Sequence, residues 1–215
     1  MLTVCLPGVY AARSDTRFLL ESLSCEHISA GSKVLDIGTG TGALAVAAAV
    51  RGAAVTAVDV SRMALASAFC NGLLRGRRIR IRRGDLFSPV RGHRFDLIVS
   101  NPPYVPESPF PAPGSQSRAW DAGPAGREVL DRLCVQSRRM LAPDGVLLIV
   151  QSSVADVPKT CDLLRRSGLR PEVVARARGR FGPVMRERAL WLEQNGLITA
   201  GTRDEDLVVV RGVRA

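Results

Sequence analysis

From residue 33 to residue 167 the chain alternates short apolar runs with longer amphipathic stretches. Residues 33–37, 54–58, 95–99 and 145–150 are dominated by Val, Leu, Ile and Ala, whereas Ile79-Arg80-Ile81-Arg82 alternates apolar with charged side chains. Runs this short and rich in β-branched residues predict strands. Between them, residues 41–51, 61–74, 125–140 and 154–166 carry apolar side chains at helical spacing. Ser61 is the candidate cap of the second of these helices, with Met63, Leu65, Ala66, Phe69, Cys70 and Leu73 as expected core positions, and Pro158 must fall in the first turn of the fourth. Strands at 173–177 and 207–210 flank a further helix at 184–194. Strand handed to helix in this order predicts an α/β fold with a largely parallel sheet of seven strands covered on both faces. Ahead of the first strand, Phe18, Leu19, Leu20 and Leu23 mark one face of a helix that Ser14 or Asp15 would cap.

That order places four polar signals at the C-terminal ends of strands, where an open parallel sheet binds its ligands. Asp36-Ile37-Gly38-Thr39-Gly40-Thr41-Gly42 follows the first strand and opens the alanine-rich helix at 43–50; Asp59 ends the second strand, Asp85 follows the third, and Asn101 the fourth. Glycines at a strand-to-helix junction permit a tight turn and a close approach of ligand to backbone. Their spacing is not that of the common dinucleotide fingerprint, and a Gly-Lys-Ser/Thr phosphate loop is absent. An acidic residue just before the glycines disfavours pyrophosphate and suits a cationic or polar group such as the methionine end of S-adenosylmethionine. Asp59, about 20 residues after the glycine turn, can accept from two ribose hydroxyls. Asp85, with the Leu86 backbone beside it, can accept from an adenine amino group.

Asn101-Pro102-Pro103-Tyr104 narrows the chemistry further. The Asn carboxamide oxygen and the Pro102 carbonyl are acceptors on a backbone that the prolines restrict, so together they can hold a planar NH2 group by both hydrogens. Tyr104 adds a flat apolar face and a hydroxyl. Such a pocket fits the amide of Gln or Asn, or the exocyclic amine of a base. No Ser-His-acid set and no metal cluster is visible, and His27 and His93 read as surface residues. Transfer of a group that is already activated, such as a sulfonium methyl, needs positioning more than a nucleophile.

With 215 residues and 46% hydrophobic composition the chain builds one substantial core. It has no apolar run long enough to span a membrane and no secretion-type start, which points to the cytoplasm. Cys5, Cys25, Cys70, Cys134 and Cys161 are scattered and read as small buried hydrophobes in a reducing compartment. The formal net charge is +10, carried almost wholly by arginine. Clusters at Arg75, Arg77, Arg78, Arg80, Arg82 and Arg83, and at Arg176, Arg178, Arg180, Arg186 and Arg188, could contact RNA or be solvated surface. Residues 105–123, rich in Pro, Ser and Gly, read as a loop bordering the site.

The glycine turn and Asn101-Pro102-Pro103-Tyr104 resemble the HemK/PrmC-type S-adenosylmethionine-dependent methyltransferases, which modify glutamine side chains in translation termination factors. The resemblance runs from about Pro7 to Arg211. It implies a Rossmann-like class I methyltransferase fold, with residues 1–30 as a helical extension over the cofactor site, residues 31–215 as the methyltransferase domain, a substrate-side loop at about 105–124 and a late helical insertion at about 178–203. Asp15-Thr16-Arg17-Phe18-Leu19-Leu20 looks like the segment before the sheet in the short archaeal and eukaryotic branch. Ser14 stands where an acidic residue is common, and the N-terminal helical domain of bacterial members has no counterpart ahead of the first strand. Residues 119–127, with their Gly-x-x-Gly-Arg spacing at Gly123, Gly126 and Arg127, resemble the stretch after the Asn-Pro-Pro-Tyr loop.

Carried over position by position, the resemblance implies cofactor contacts at Tyr10, Thr16, Asp36, Gly38, Thr39, Gly40, Gly42, Asp59, Val60, Asp85, Leu86 and Asn101. It implies acceptor contacts at Asn101, Pro102, Pro103 and Tyr104, with Asn101, Pro102 and Tyr104 catalytic and no metal. The implied partners are a protein substrate such as a release factor or ribosomal protein, RNA contact through the arginines, and an activating subunit, in a monomer or small complex. Three functions suit these residues: methylation of a protein glutamine, methylation of adenine or guanine in RNA or DNA, and a noncatalytic binding subunit of the same fold.

Overall fold

The computed structural model describes residues 3–108, 120 and 122–214. Its elements are α1 (Ser14–Cys25), β1 (Lys33–Ile37), α2 (Ala43–Val50), β2 (Ala54–Asp59), α3 (Arg62–Leu73), β3 (Arg80–Arg83) and β4 (Phe95–Ser100), then α4 (Glu128–Ser137), β5 (Leu141–Ser152), α5 (Val157–Arg166), β6 (Leu169–Arg180), α6 (Pro183–Gln194) and β7 (Asp204–Arg214). The seven strands form one sheet in the order β3-β2-β1-β4-β5-β7-β6, parallel except that β7 runs antiparallel to both neighbours. The order reverses between β1 and β4, the switch point at which doubly wound sheets open a crevice.

Alternate side chains of the central strands feed two cores. Leu35, Ile98 and Ile149 pack with Leu130, Leu133 and Leu164 of α4 and α5 on one face. Val34, Val99 and Leu148 pack with Leu19, Leu23, Ala45 and Ala48 of α1 and α2 on the other. A third cluster gathers Phe181 and Met185, Ala189 and Leu192 of α6 against Val105. Strands β6 and β7 are longer than the apolar pattern indicates, because the antiparallel pair that sets Arg180 opposite Asp204 and Leu169 opposite Arg214 carries charged side chains along the sheet edge.

Several expectations are corrected. Neither Ser14 nor Asp15 caps α1: the cap position is Arg13, with no side-chain hydrogen bond, and Asp15 lies inside the first turn with its carboxylate turned toward β4. Ser61 does cap α3, accepting from the Ala64 N–H at 3.3 Å, yet the buried face of that helix is Ala64, Leu65, Ser67, Ala68, Asn71 and Gly72. Met63, Phe69, Cys70 and Leu73 are exposed. The reason is steric. A Cβ on Gly42 would stand 2.7 Å from Ala68 Cα, so α3 meets the glycine turn at a distance that admits only small side chains. Of the cysteines, Cys134 is buried, Cys161 is partly so, and Cys5, Cys25 and Cys70 are exposed.

Asn71, on the buried face of α3, holds the N-terminal segment down. Its Oδ1 accepts from Val4 N–H at 2.7 Å, and its Nδ2 donates to the carbonyls of Val4 and Thr41, each at 2.8 Å. Among the described residues no helix is long and apolar enough to cross a membrane.

Candidate active site

The C-terminal ends of the first four strands open onto a cavity of about 460 Å³, within the range of small-molecule sites. Gly38, Thr39 and Gly40 line it after β1, Asp59 and Val60 after β2, Asp85 and Leu86 after β3, and Asn101, Pro102 and Pro103 after β4; Tyr10 and Thr16 line it from the N-terminal segment. Asp36, Gly42 and Tyr104 do not line this cavity and adjoin residues that do.

Gly38, Gly40 and Gly42 all hold positive φ, at 68°, 53° and 81°, a region that costs other L-residues about 1–2 kcal/mol. The turn satisfies most of its own donors. Gly38 and Thr39 N–H groups donate to the Val58 carbonyl, Gly42 N–H to the Thr39 carbonyl, and Gly40 N–H to Asp59 Oδ2 at 3.0 Å. A phosphate cradle would need those groups free. Beneath the turn Asp36 is fully buried, its Oδ2 accepting from Thr39 Oγ1 at 2.6 Å and Ala45 N–H at 3.1 Å. Its Oδ1 has no partner among the described residues. Burial pushes this carboxyl up to about 7, against the opposing pull of the Thr39 and Ala45 hydrogen bonds.

Asp59 ends β2 with Oδ1 accepting from Ser61 N–H at 2.9 Å and Oδ2 from Gly40 N–H. Each carboxylate oxygen keeps further acceptor capacity. Burial raises its pKa while these backbone donors lower it. Asp85 stands at the rim, paired with Arg132 of α4. Leu86 next to it holds φ 46° with its side chain buried in the core, a strained turn anchored from below.

At the end of β4, Asn101 Nδ2 donates to Asp15 Oδ2 at 3.0 Å and to Thr16 Oγ1 at 3.1 Å. Both amide hydrogens are therefore taken up, which leaves Oδ1 as the group that can accept. Turning the amide over would set Oδ1 against the Asp15 carboxylate and lose a hydrogen bond to a charged group, about 1.5–3 kcal/mol. Asp15 Oδ2 also accepts from the hydroxyls of Tyr10 at 3.1 Å and Tyr104 at 3.2 Å, and Asp15 Oδ1 accepts from Thr16 N–H at 2.7 Å. Burial, and then the charge of Asp15, raises the pKa of both tyrosines, so both hydroxyls remain donors. Asp15 enters the sequence reading as a candidate cap and as the first residue of the Asp15–Leu20 segment, with no contact expected of it at the site. Glu205 near the start of β7 was missed as well. Ser152 and the Gly182 N–H hold its carboxylate, Oε2 has no partner among the described residues, and burial raises its pKa.

The stretch after Asn101 is clamped from two sides. Val105 N–H donates to the Trp120 carbonyl, Ala122 N–H to the Val105 carbonyl, and Glu107 N–H to the Gly123 carbonyl. Residues 109–119 and 121, within the expected substrate-side loop, lie outside the described residues. A Cβ on Gly126 would stand 2.5 Å from the Tyr104 carbonyl oxygen, which explains the glycine there. Arg127 is buried and ties α4 to α5 through Asp131, the Ala155 and Asp156 carbonyls and Thr160. The helix α6 expected as a late insertion covers this stretch, with Arg188 Nη1 donating to the Pro106 carbonyl at 2.7 Å.

Arg188 is therefore a buried structural residue and no part of a cationic surface. Arg176 and Arg178 are paired with Asp206 and Asp204, so much of the second arginine cluster is neutralised. Arg77, Arg78, Arg80 and Arg82 of the first cluster are exposed around the edge strand β3.

Residues 2–110 match the family described as "Methyltransferase small domain". A protein of Methanocaldococcus jannaschii, described provisionally as a protein N5-glutamine methyltransferase, is 36% identical over 182 residues, 83% of this chain and 90% of that one. The release factor glutamine methyltransferase of Shewanella oneidensis is 39% identical over 145 residues, 64% of this chain and 51% of that longer protein. The ribosomal protein uL3 glutamine methyltransferase of Bradyrhizobium diazoefficiens is 39% identical over 132 residues, 57% of this chain and 41% of its own length. Among solved structures, the E. cuniculi Mtq2–Trm112 complex superposes with a TM-score of 0.67 at 23% identity, covering 97% of this chain and 99% of that one, a likeness of fold.

The fold and these relatives define an S-adenosylmethionine-dependent methyltransferase. Within that class, the chain belongs to the HemK/PrmC-type glutamine methyltransferase family.

Proposed function

We propose that this enzyme methylates the side-chain amide nitrogen of a glutamine in a translation-related protein, a release factor or a ribosomal protein. The observation that carries the reading is the fixed direction of the Asn101 amide, whose two hydrogens are bound by Asp15 and Thr16. Its Oδ1 is then left, with the Pro102 carbonyl, to receive the two hydrogens of an acceptor NH2, while Pro103 lines the cavity and Tyr104 adjoins it. An amide nitrogen is a poor nucleophile because its lone pair is delocalised. Two acceptors on its hydrogens favour the positive charge that develops there as the N–C bond forms and the sulfonium S–C bond breaks to leave the thioether, after which one N–H proton of the cationic amide is lost to water. The carboxylates of Asp15 and Glu205 add negative potential on the same side. The archaeal relative, matched over 90% of its length, supports placement in the short branch of the family.

In this reading S-adenosylmethionine supplies a methyl group already activated on a sulfonium. Tyr10 and Thr16 cover it, Gly38, Thr39, Gly40 and Gly42 shape the turn against it, Asp59 and Val60 take the ribose, and Asp85 with the Leu86 backbone takes the adenine. Asp36, buried beneath the turn and outside the cavity lining, favours the cationic methionine end through its charge and not by contact. The self-satisfied donors of the glycine turn suit a ligand without phosphates.

Asp36 gives a pH prediction. Its carboxyl ionises near 3.8 in the unfolded chain and near 7 in the fold. Its contribution to stability is therefore fully present below pH 3.8 and is lost as pH rises through 7. A cationic ligand reverses the balance by favouring the carboxylate. Calorimetry with S-adenosylhomocysteine should show affinity rising by up to about tenfold per pH unit below 7 and levelling above it. An affinity flat from about pH 5.5 to 8 would restrict Asp36 to packing of the turn.

Val60, Met63, Phe69, Leu73 and Leu74 form an exposed apolar stretch on and beside α3, next to the cavity. An activating protein partner is proposed there, and a translation substrate places the reaction in the cytoplasm. The test is transfer of labelled methyl from S-adenosylmethionine into cell extract, with protease and ribonuclease digestion in parallel and the purified enzyme with fractionated acceptor alongside. Protease-sensitive label recovered on glutamine is the expected result. Ribonuclease-sensitive label would overturn it in favour of the arginines of β3, and full activity of the purified enzyme alone would remove the partner.

A further inference from the structure

We infer that Asp15 is the positioning residue that decides which way the Asn101 amide faces, and hence whether the pocket can accept an NH2 group. The inference rests on the glutamine reading for its consequence in catalysis, though not for the geometry itself. A carboxamide has a donor end and an acceptor end of nearly the same shape, so an Asn at this position binds an acceptor NH2 only when Oδ1 points outward. Nothing in the sequence from Asn101 to Tyr104 sets that direction. It is set from α1, 86 residues away in the chain, where Asp15 Oδ2 and Thr16 Oγ1 take both Nδ2 hydrogens.

The residue has to be an aspartate. Its Oδ2 accepts from Asn101, Tyr10 and Tyr104, and its Oδ1 accepts from Thr16 N–H at 2.7 Å. An asparagine at position 15 would place an NH2 either on the three donors or on the Thr16 N–H. A glutamate, one methylene longer, would move the acceptor relative to a helix turn that is already fixed. Because Tyr104 donates to the same oxygen, the carboxylate also holds the tyrosine that follows the cavity-lining Pro103. Tyr10 and Tyr104 are kept protonated by burial, so neither can take over as a negatively charged acceptor.

Two readouts test this on the full chain. The first uses enzyme saturated with S-adenosylhomocysteine and no acceptor, with the Asn101 side-chain amide followed by NMR. In the wild type both Nδ2 hydrogens should exchange slowly with solvent, and in Asp15→Asn at least about tenfold faster. The second is the split between turnover and binding. Asp15→Asn should lower kcat by about 100-fold while the dissociation constant for S-adenosylhomocysteine stays within about threefold, Asp15→Glu should recover part of the loss, and Thr16→Val should lose less than Asp15→Asn.

Fast exchange in the wild type, or unchanged slow exchange in Asp15→Asn, would overturn the inference whatever the acceptor proves to be. A kcat within about threefold of wild type, or a parallel loss of kcat and cofactor affinity, would overturn it from the kinetic side. If Asp15→Asn does not fold, wild-type exchange and the exchange of the Asn101 amide in Asp15→Glu still decide the matter: slow exchange in the first and faster exchange in the second are expected, and fast exchange in the first or no change in the second overturns the inference. If the acceptor is not glutamine, the NMR result stands and only the substrate reading fails.

Discussion

Asn101→Ala should lower kcat by about 10²–10³-fold while leaving most of the affinity for S-adenosylmethionine. The side chain offers a single acceptor to the cavity, because its two donors are already bound to Asp15 and Thr16. Removing it leaves the acceptor NH2 held by the Pro102 carbonyl alone, free to rotate and with one fewer acceptor for the charge that develops on nitrogen. Losing one preorganised partner of that kind raises the barrier by about 2.7–4 kcal/mol. The turn that carries Asn101 is anchored independently, by Ser100 Oγ donating to the Ile37 carbonyl at 2.8 Å and by the β1 to β4 register. The variant should therefore fold. Single-turnover transfer to an identified acceptor, beside calorimetric binding of cofactor, separates the two effects. Full transfer by the variant would remove Asn101 from catalysis.

Asp59→Ala should act on the other half of the reaction, weakening cofactor binding by about 100-fold with a smaller change in the chemical step. A carboxylate that receives two ribose hydroxyls contributes charge-assisted hydrogen bonds of about 1.5–3 kcal/mol each, and desolvation offsets part of that. The same side chain holds Gly40 N–H at 3.0 Å and Ser61 N–H at 2.9 Å. Its loss also frees the glycine turn and the start of α3. Asp59→Asn keeps the shape and an acceptor, so it should fall between wild type and Ala. Equal affinities for all three proteins would confine Asp59 to holding the turn.

The order and type of the first elements were legible because β1 and β2 each end on a polar or glycine signal with a helix beginning soon after. The phase of α3 was not. Periodicity selected Met63, Phe69 and Leu73 as inward, but the helix is packed by its smallest residues against Gly42, and a close approach between backbones leaves no hydrophobic signature. The place of Arg188 was hidden for a related reason: charge counts do not distinguish Arg82, exposed on an edge strand, from Arg188, which is buried under the Pro106 carbonyl.

The class of fold, the crevice at the strand ends and the presence of two potential acceptors in the Asn-Pro-Pro-Tyr turn were all readable from the chain. Those properties are local: a strand, a glycine turn and a rigid proline segment each have their chemistry within a few residues. Tertiary structure alone decided that Asp15 faces Asn101, that Glu205 comes up from the last strand, and that Asn71 pins the N-terminal segment onto the glycine turn. A buried polar side chain becomes informative only when its partners are known. Those partners lie 86 residues from Asp15 and 67 from Asn71, brought together by the crossover connections of a parallel sheet.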